Sequence, residues 1–181
     1  MMGVRAMKPY AALLSFGIFF SLAVAAPPDA ARAEARLNPT LAPFQFMVGS
    51  WQCRSWRAAS GRLAPRSAAI DSKYSVIGGG RALGQRVSGP DYRSFELFGY
   101  EPSTNRIVTS AFADDGSRAL ASSAGWAGNA IVLSGKVHSG AMQADLRDIL
   151  VKFTDRRFTD TTEIRESGRW KTIADSDCNK R

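Results

Sequence analysis

The amino-acid sequence predicts an all-β fold, an antiparallel up-and-down barrel of about ten strands with a short N-terminal helical turn. Short strand-like runs rich in apolar residues follow one another roughly every ten to fifteen residues. The turns between them are too short for parallel strands, whose crossovers need about a dozen residues or more. Closing the sheet into a barrel also removes its exposed edges.

The helical turn is predicted just before the first strand. Leu41, Phe44 and Met47 recur at three-residue intervals ahead of Gly49, a spacing that turns one apolar face inward. Ten strands are predicted after it: Ser50 to Trp56, Ala68 to Val76, Ala82 to Val87, Ser94 to Tyr100, Arg106 to Phe112, Ala119 to Ala124, Ala130 to Lys136, Ala144 to Phe153, Phe158 to Arg165 and Trp170 to Ser176.

Turn-forming residues separate these strands. The run Gly78-Gly79-Gly80 has neither the spacing of a dinucleotide fingerprint nor that of a P-loop, and no helix pattern follows it. It is therefore interpreted as a bulge or sharp corner between the second and third strands.

Composition indicates one globular domain. The chain has 181 residues, 45% of them hydrophobic, and a net charge of +8. An aromatic content of 10% argues against a disordered chain, and two cysteines exclude a disulfide-dense one. The basic residues are scattered without interleaved aromatics, so no nucleic-acid partner is predicted.

The N-terminal segment predicts export. Arg5 and Lys8 precede an apolar run from Ala11 to Ala26, which is typical of a secretory signal peptide. Those 16 residues are fewer than the roughly 20 that span a bilayer, so no stable membrane anchor is expected after cleavage. We expect a signal peptide over residues 1–33, cleaved there or already after residue 25, then a mobile tether over 34–40 and the barrel domain over 41–181. The product would be periplasmic or secreted.

The two cysteines predict one structural disulfide. Cys53 and Cys178 lie near opposite ends of the expected mature chain, which an exported protein would carry into an oxidising compartment. Closing the barrel makes the first and last strands neighbours. A disulfide between these strands would pin the seam of the barrel.

Three motifs, in this order and spacing, resemble those of the calycin superfamily, which includes lipocalins, fatty-acid-binding proteins, nitrobindins and small bacterial barrels of unknown function. They are Gly49-Ser50-Trp51 at the first strand, Gly99-Tyr100-Glu101-Pro102 with the hairpins that follow it, and Gly168-Arg169-Trp170 in the last hairpin. The resemblance implies a barrel whose lumen holds one small apolar or amphipathic molecule.

The resemblance also implies residue roles. Gly49 and Trp51 would be structural, with Trp51 plugging the closed end of the barrel beneath an arginine, either Arg165 or Arg169. Aromatic residues are the candidates for lining the lumen and contacting a ligand: Tyr74, Phe98, Tyr100, Phe112, Trp126 and Trp170.

No residue pattern demands a cofactor, a metal or a catalytic site. A haem would need a ligand such as His138, the only histidine, which is expected in an exposed turn. Asp114 and Asp115 are interpreted as hairpin-turn residues, and Asp145 and Asp148 as a solvated strand edge. No serine lies in a nucleophile elbow.

The predicted function is non-catalytic binding of a small hydrophobic or amphipathic molecule in the lumen of an exported barrel. Two alternatives remain open: a filled structural or interaction barrel of the cell envelope, and a lumen-based isomerase or hydrolase. The second alternative needs ionisable groups that converge inside the pocket. The sequence predicts neither the ligand nor the oligomeric state.

Overall fold

The computed structural model describes residues 36–58 and 65–181. Within them, ten antiparallel strands form a closed barrel in which each strand pairs with its neighbours in sequence and β1 pairs with β10. The strands are β1 Gly49–Arg57, β2 Arg66–Ile77, β3 Ala82–Ser88, β4 Arg93–Glu101, β5 Arg106–Ala113, β6 Arg118–Ser123, β7 Ala130–Ser139, β8 Met142–Thr154, β9 Arg157–Glu166 and β10 Arg169–Lys180.

The predicted fold class is confirmed, and each of the ten predicted strands corresponds to one observed strand. The differences lie at strand ends: β10, for example, continues beyond Ser176 to Lys180. The expected signal peptide, residues 1–33, lies outside the described residues. No helix in the described part of the chain is long and apolar enough to cross a membrane.

One end of the barrel is capped by the predicted helical turn. It is a 3-10 helix, Ala42–Met47, and Leu41, Phe44 and Met47 are all buried. The ring of Phe44 lies 5.4 Å from that of Phe98 and 5.3 Å from that of Trp126. We call this the capped end. The turns β3–β4, β5–β6, β7–β8 and β9–β10 lie at the opposite, open end.

The residues before the helix pack onto the capped end. Leu37 belongs to the hydrophobic core, and the amide of Asn38 donates to the carbonyl of Gly80 at 2.9 Å. Gly80 has a φ of +94°, and a Cβ there would lie 2.5 Å from the carbonyl oxygen of Arg36. The described part of the expected tether, residues 36–40, is thus hydrogen-bonded to the β2–β3 corner that the glycine run forms.

The predicted disulfide is confirmed. Cys53 and Cys178 are directly opposite partners in the β1–β10 pair and are joined by an S–S bond of 2.03 Å. Both are buried. The bond therefore joins the two strands whose pairing closes the barrel, 125 residues apart in sequence.

Candidate functional site

The lumen holds a cavity of about 460 Å³ that opens away from the cap. Its floor consists of Tyr74, Phe158 and the Cys53–Cys178 disulfide, above the buried ring of Trp51. Apolar side chains line the wall nearer the open end: Ile70, Val87, Ala111, Leu146, Ile164 and Ile173. The lumen is hollow, which does not agree with the alternative of a filled barrel.

Three carboxyl groups from different strands line the deeper part of this cavity. They belong to Glu96 on β4, Asp148 on β8 and Asp160 on β9. Each follows the alternation of its strand, in which every second residue faces the same side: Asp148 lies between the buried residues Leu146 and Leu150, and Asp160 lies two residues after the buried Phe158. Asp148, interpreted from sequence as part of a solvated edge, is instead inside the barrel, so that interpretation is wrong.

Enclosure by the barrel shifts the protonation of the two aspartates. Burial raises the pKa of Asp160 to about 8, and the charges of Asp148 and Asp175 raise it as well. Burial also raises the pKa of Asp148 to about 6, although a hydrogen bond from Thr162 favours its charged form. Thr162 on β9 lies directly opposite Asp148 on β8. Asp160 lies two residues before Thr162 and so faces the same side of the sheet, which places both aspartates on one face of these two strands.

Glu96 and Tyr74 complete the ionisable groups at this depth. Burial, together with the charges of Asp148 and Asp160, raises the pKa of Glu96 well above its usual range, while a hydrogen bond from Thr109 opposes the rise. Burial likewise raises the pKa of Tyr74 well above its usual range. Among the carboxyls, Asp160, whose pKa is about 8, therefore holds a proton that an exposed carboxyl would release at neutral pH.

No described cation neutralises the three carboxyls: none of them belongs to an ion pair of the described residues. The described residues also contain no group of three His, Cys, Asp or Glu placed to hold a metal ion. The Oδ1 atom of Asp160 is buried and has no hydrogen-bond partner among the described residues. On β2 and β3, the side-chain amide of Gln85 donates to the hydroxyl of Ser72 at 3.4 Å.

Some charged residues at the open end pair with one another. Arg66 forms a salt bridge with Asp91, and Lys171 forms one with Glu166 at 2.9 Å. The guanidinium of Arg57 lies 5.0 Å from the centre of the Tyr92 ring. Arg57, Asp115 and Arg118 also line this cavity and belong to no ion pair of the described residues, so the charges of the rim are only partly compensated.

The predicted lumen aromatics occupy different places. Tyr74 lines the cavity floor. Phe98 is buried against the cap, and Trp126 is half-buried there beside Phe44. The hydroxyl of Tyr100 donates to Asn105 at 2.8 Å, in the β4–β5 hairpin.

The other two predicted lumen aromatics are exposed. Phe112 is 56% exposed and borders both the lumen opening and a shallow outer groove beside Phe95. Trp170 is 38% exposed, with the guanidinium of Arg147 4.5 Å from its ring centre. The structure therefore brings only Tyr74 of the six together with the carboxyls.

Trp51 lies at the capped end, as expected, but its cationic neighbour differs. Its indole N–H donates to the carbonyl of Met47 at 2.6 Å, and the ammonium of Lys180 lies 5.5 Å from its ring centre. Arg165 and Arg169, the expected partners, are exposed in the β9–β10 hairpin at the open end, so Lys180 replaces them. Gly49 has a φ of +123° and lets Lys180 pass within 3.1 Å of the position of a Cβ.

An apolar patch with basic residues around it lies on the outer face of β3 to β6. Phe95 lies opposite Phe112 across β4 and β5, and Leu120 on β6 is 60% exposed. Arg86 lies opposite Phe95, and Arg118 lies opposite Phe112. Neither arginine forms an ion pair with a described residue. We call these five residues the outer patch.

The described strands form the closed ten-stranded antiparallel barrel that the sequence predicts. No protein-family model matches the chain, and no curated protein matches it in sequence. Among solved structures, it is similar to the crystal structure of Rv2717c from M. tuberculosis, with a TM-score of 0.58 and 11% identity over 80% of this chain and 99% of that one. This likeness shows the fold alone.

Proposed function

We propose that this barrel binds a small amphipathic molecule in its lumen without catalysis. The observation that carries the proposal is the cavity of about 460 Å³, which combines apolar walls with a small set of polar groups. Ligand sites of this size are typically concave, mostly apolar and provided with a few polar groups that fix orientation. The lumen has each of these properties.

Binding would be favourable for two reasons, the apolar surface of the cavity walls and an unpartnered carboxyl oxygen. Apolar walls contribute roughly 25 cal/mol for each Å² removed from water. The unpartnered carboxyl oxygen of Asp160 gains a hydrogen bond when a polar group enters. An amphipathic molecule satisfies both requirements, whereas a purely apolar one leaves the carboxyls unpaired.

Fluorescence titration with the uncharged probe N-phenyl-1-naphthylamine tests this proposal. We expect saturable one-to-one binding to the wild type and its loss in Ala111→Trp, which fills the lumen from β5. The matched control is Ser110→Trp, because the adjacent residue Ser110 lies opposite the exposed residues Leu97 and Leu120 on the outer face. Binding that survives Ala111→Trp but not Ser110→Trp would contradict a lumen site.

The proposed place of action is the periplasm or the extracellular space. The Cys53–Cys178 disulfide supports an oxidising compartment. Fractionation of the source cells tests this directly: we expect the mature chain outside the cytoplasm with its disulfide intact, and a reduced cytoplasmic chain would contradict it.

The outer patch supports a second candidate function, peripheral attachment to an anionic bilayer. Exposed aromatic and leucine side chains can enter the headgroup region while Arg86 and Arg118 meet anionic lipids. We expect co-sedimentation with phosphatidylglycerol vesicles, not with phosphatidylcholine vesicles, and its loss in Leu120→Glu. Equal recovery with both vesicle types would exclude this function.

A further inference from the structure

The interior of the barrel carries acidic groups without a counter-charge. Glu96, Asp148 and Asp160 reach the same cavity from β4, β8 and β9. The other titratable group at this depth is Tyr74 on β2, and the carboxylate of Asp175 on β10 acts on Asp160. The remaining strands contribute neutral side chains here: Ser55, Gln85, Thr109 and Ser176.

A second feature shows that this acidic group is incomplete by itself. The Oδ1 atom of Asp160 is excluded from solvent and accepts no hydrogen bond from a described residue. An unsatisfied buried acceptor of this kind is rare in folded proteins because it costs free energy. Asp160 itself lines the cavity, so a rotation of its carboxyl group would turn this oxygen toward a hydrogen-bond donor of a ligand.

We propose that the ligand is an amphipathic primary amine whose ammonium group lies between Asp148 and Asp160 and whose hydrocarbon part lies along the apolar wall toward the open end. This inference rests on the proposed function. An ammonium group supplies three donors and a positive charge, and no described cation forms an ion pair with Glu96, Asp148 or Asp160. A fatty acid would place another carboxylate beside three acidic groups, and an alcohol would supply one donor without charge.

The geometry of the wall agrees with this orientation. The carboxyls lie above the floor formed by Tyr74 and Phe158, and the apolar residues Ile70 and Ile164 lie between them and the rim. At the rim, Arg66 and Lys171 are each neutralised by a carboxylate, whereas Arg57 and Arg118 are not, so an entering ammonium group meets part of the positive charge of the rim.

Binding of the amine changes the protonation of the site. The amine enters as R–NH₃⁺, and a carboxyl that held its proton in the free protein becomes R–NH₃⁺···⁻OOC with release of that H⁺ to the buffer. The opposite charge of the ammonium favours the ionised carboxylate, so protons leave and none is taken up. No bond other than the O–H bond of the carboxyl is broken.

Isothermal titration calorimetry at pH 7 with octylamine, octan-1-ol and octanoate tests the inference. We expect octylamine to bind at least about tenfold tighter than octanol, and octanoate to bind weakest. In the double variant Asp148→Asn/Asp160→Asn the advantage of the amine should vanish while octanol still binds. The matched control Asp145→Asn, on the outside of β8, should behave like the wild type.

Repeating the titration in two buffers of different ionisation enthalpy counts the protons. We expect net release with octylamine and none with octanol. Equal affinity for octylamine and octanol, or tighter binding of octanoate, would overturn the amine inference and leave lumen binding standing. If none of the three binds, the proposed function itself fails. Folding of each variant is checked by its circular dichroism spectrum.

Discussion

The capped end and the open half of the barrel are built from the same strands but differ in their interiors. At the capped end, Trp51, Phe44 and Phe158 are essentially inaccessible to solvent, and the rings of Trp51 and Phe158 lie 4.8 Å apart. Toward the open end, the side chains of Asp148 and Asp160 line a cavity. One half of each strand is packed, and the other half faces empty space with polar groups.

This contrast indicates where stability and function reside. Close packing of large side chains contributes most of the favourable free energy of folding. Buried carboxyls reduce stability, because their ionisation in a poorly solvated site is unfavourable. This barrel contains both features. Its stabilising contacts lie at the capped end, and its destabilising carboxyls lie in the half where a ligand can enter.

Removing the tryptophan at the cap should have the largest effect. Trp51→Ala leaves a cavity beneath Phe158 and removes the hydrogen bond to Met47, so we expect the free energy of unfolding to fall by about 3–5 kcal/mol in urea titrations. Ile164→Ala in the open half already borders empty space and should cost less than half as much. An equal loss in the two variants would contradict the division between the halves.

Removing the disulfide between β1 and β10 should have the second-largest effect on stability. Cys53→Ala/Cys178→Ala removes a bond that closes a loop of 125 residues, and we expect a loss of about 2–5 kcal/mol. The same variant should be insensitive to dithiothreitol, whereas the wild type should lose stability in it. A variant as stable as the wild type would show that strand pairing alone closes the barrel.

The lumen carboxyls should make stability fall as pH rises. The pKa of Asp160 is about 8 in the folded state, above its usual value, so the folded protein binds more protons than the unfolded one. The contribution of this group to stability is then greatest below about pH 4 and declines as the pH rises to about 8.

Asp160→Asn should flatten that decline in urea titrations between pH 5 and pH 8. Asp145→Asn is the control of opposite sign, because a hydrogen bond and the charge of Lys136 lower the pKa of Asp145. An unchanged pH dependence in Asp160→Asn would mean that this carboxyl ionises normally in the barrel.

The outer patch should matter least for folding. Leu120 is 60% exposed, so Leu120→Ser should change the free energy of unfolding by no more than about 0.5 kcal/mol. A loss above about 2 kcal/mol would instead indicate that this face packs against another molecule in solution, which analytical ultracentrifugation of both proteins would detect.

The strands and the helical turn could be predicted because they depend on local patterns, and the disulfide could be predicted because closure of the barrel makes its first and last strands neighbours. Turn residues between short apolar runs defined the hairpins, and closure placed Cys53 beside Cys178. The carboxyl site could not be predicted in the same way. Glu96 and Asp160 are brought together only by closure, and a polar residue on a strand ordinarily indicates a solvent face.

One signal of the site was present in the sequence. Phe158, Asp160, Thr162 and Ile164 alternate along β9 as a mixed polar and apolar face, and the structure places all four on the cavity. Hydrophobic character alone was not a sufficient guide to the lumen, because Phe112 was expected there but is largely exposed. When a lumen is partly polar, apolar character alone does not distinguish the inside of a barrel from its outside.

NMR chemical-shift mapping with octylamine tests the central claim most directly, since it reports where the molecule binds. We predict saturable changes at Ser72, Thr109 and Thr162 and at the side-chain carboxyl carbons of Asp148 and Asp160, with little change at the capped end. Changes confined to the outer patch, or no saturable change in the lumen, would contradict the account of an open half built to hold a ligand.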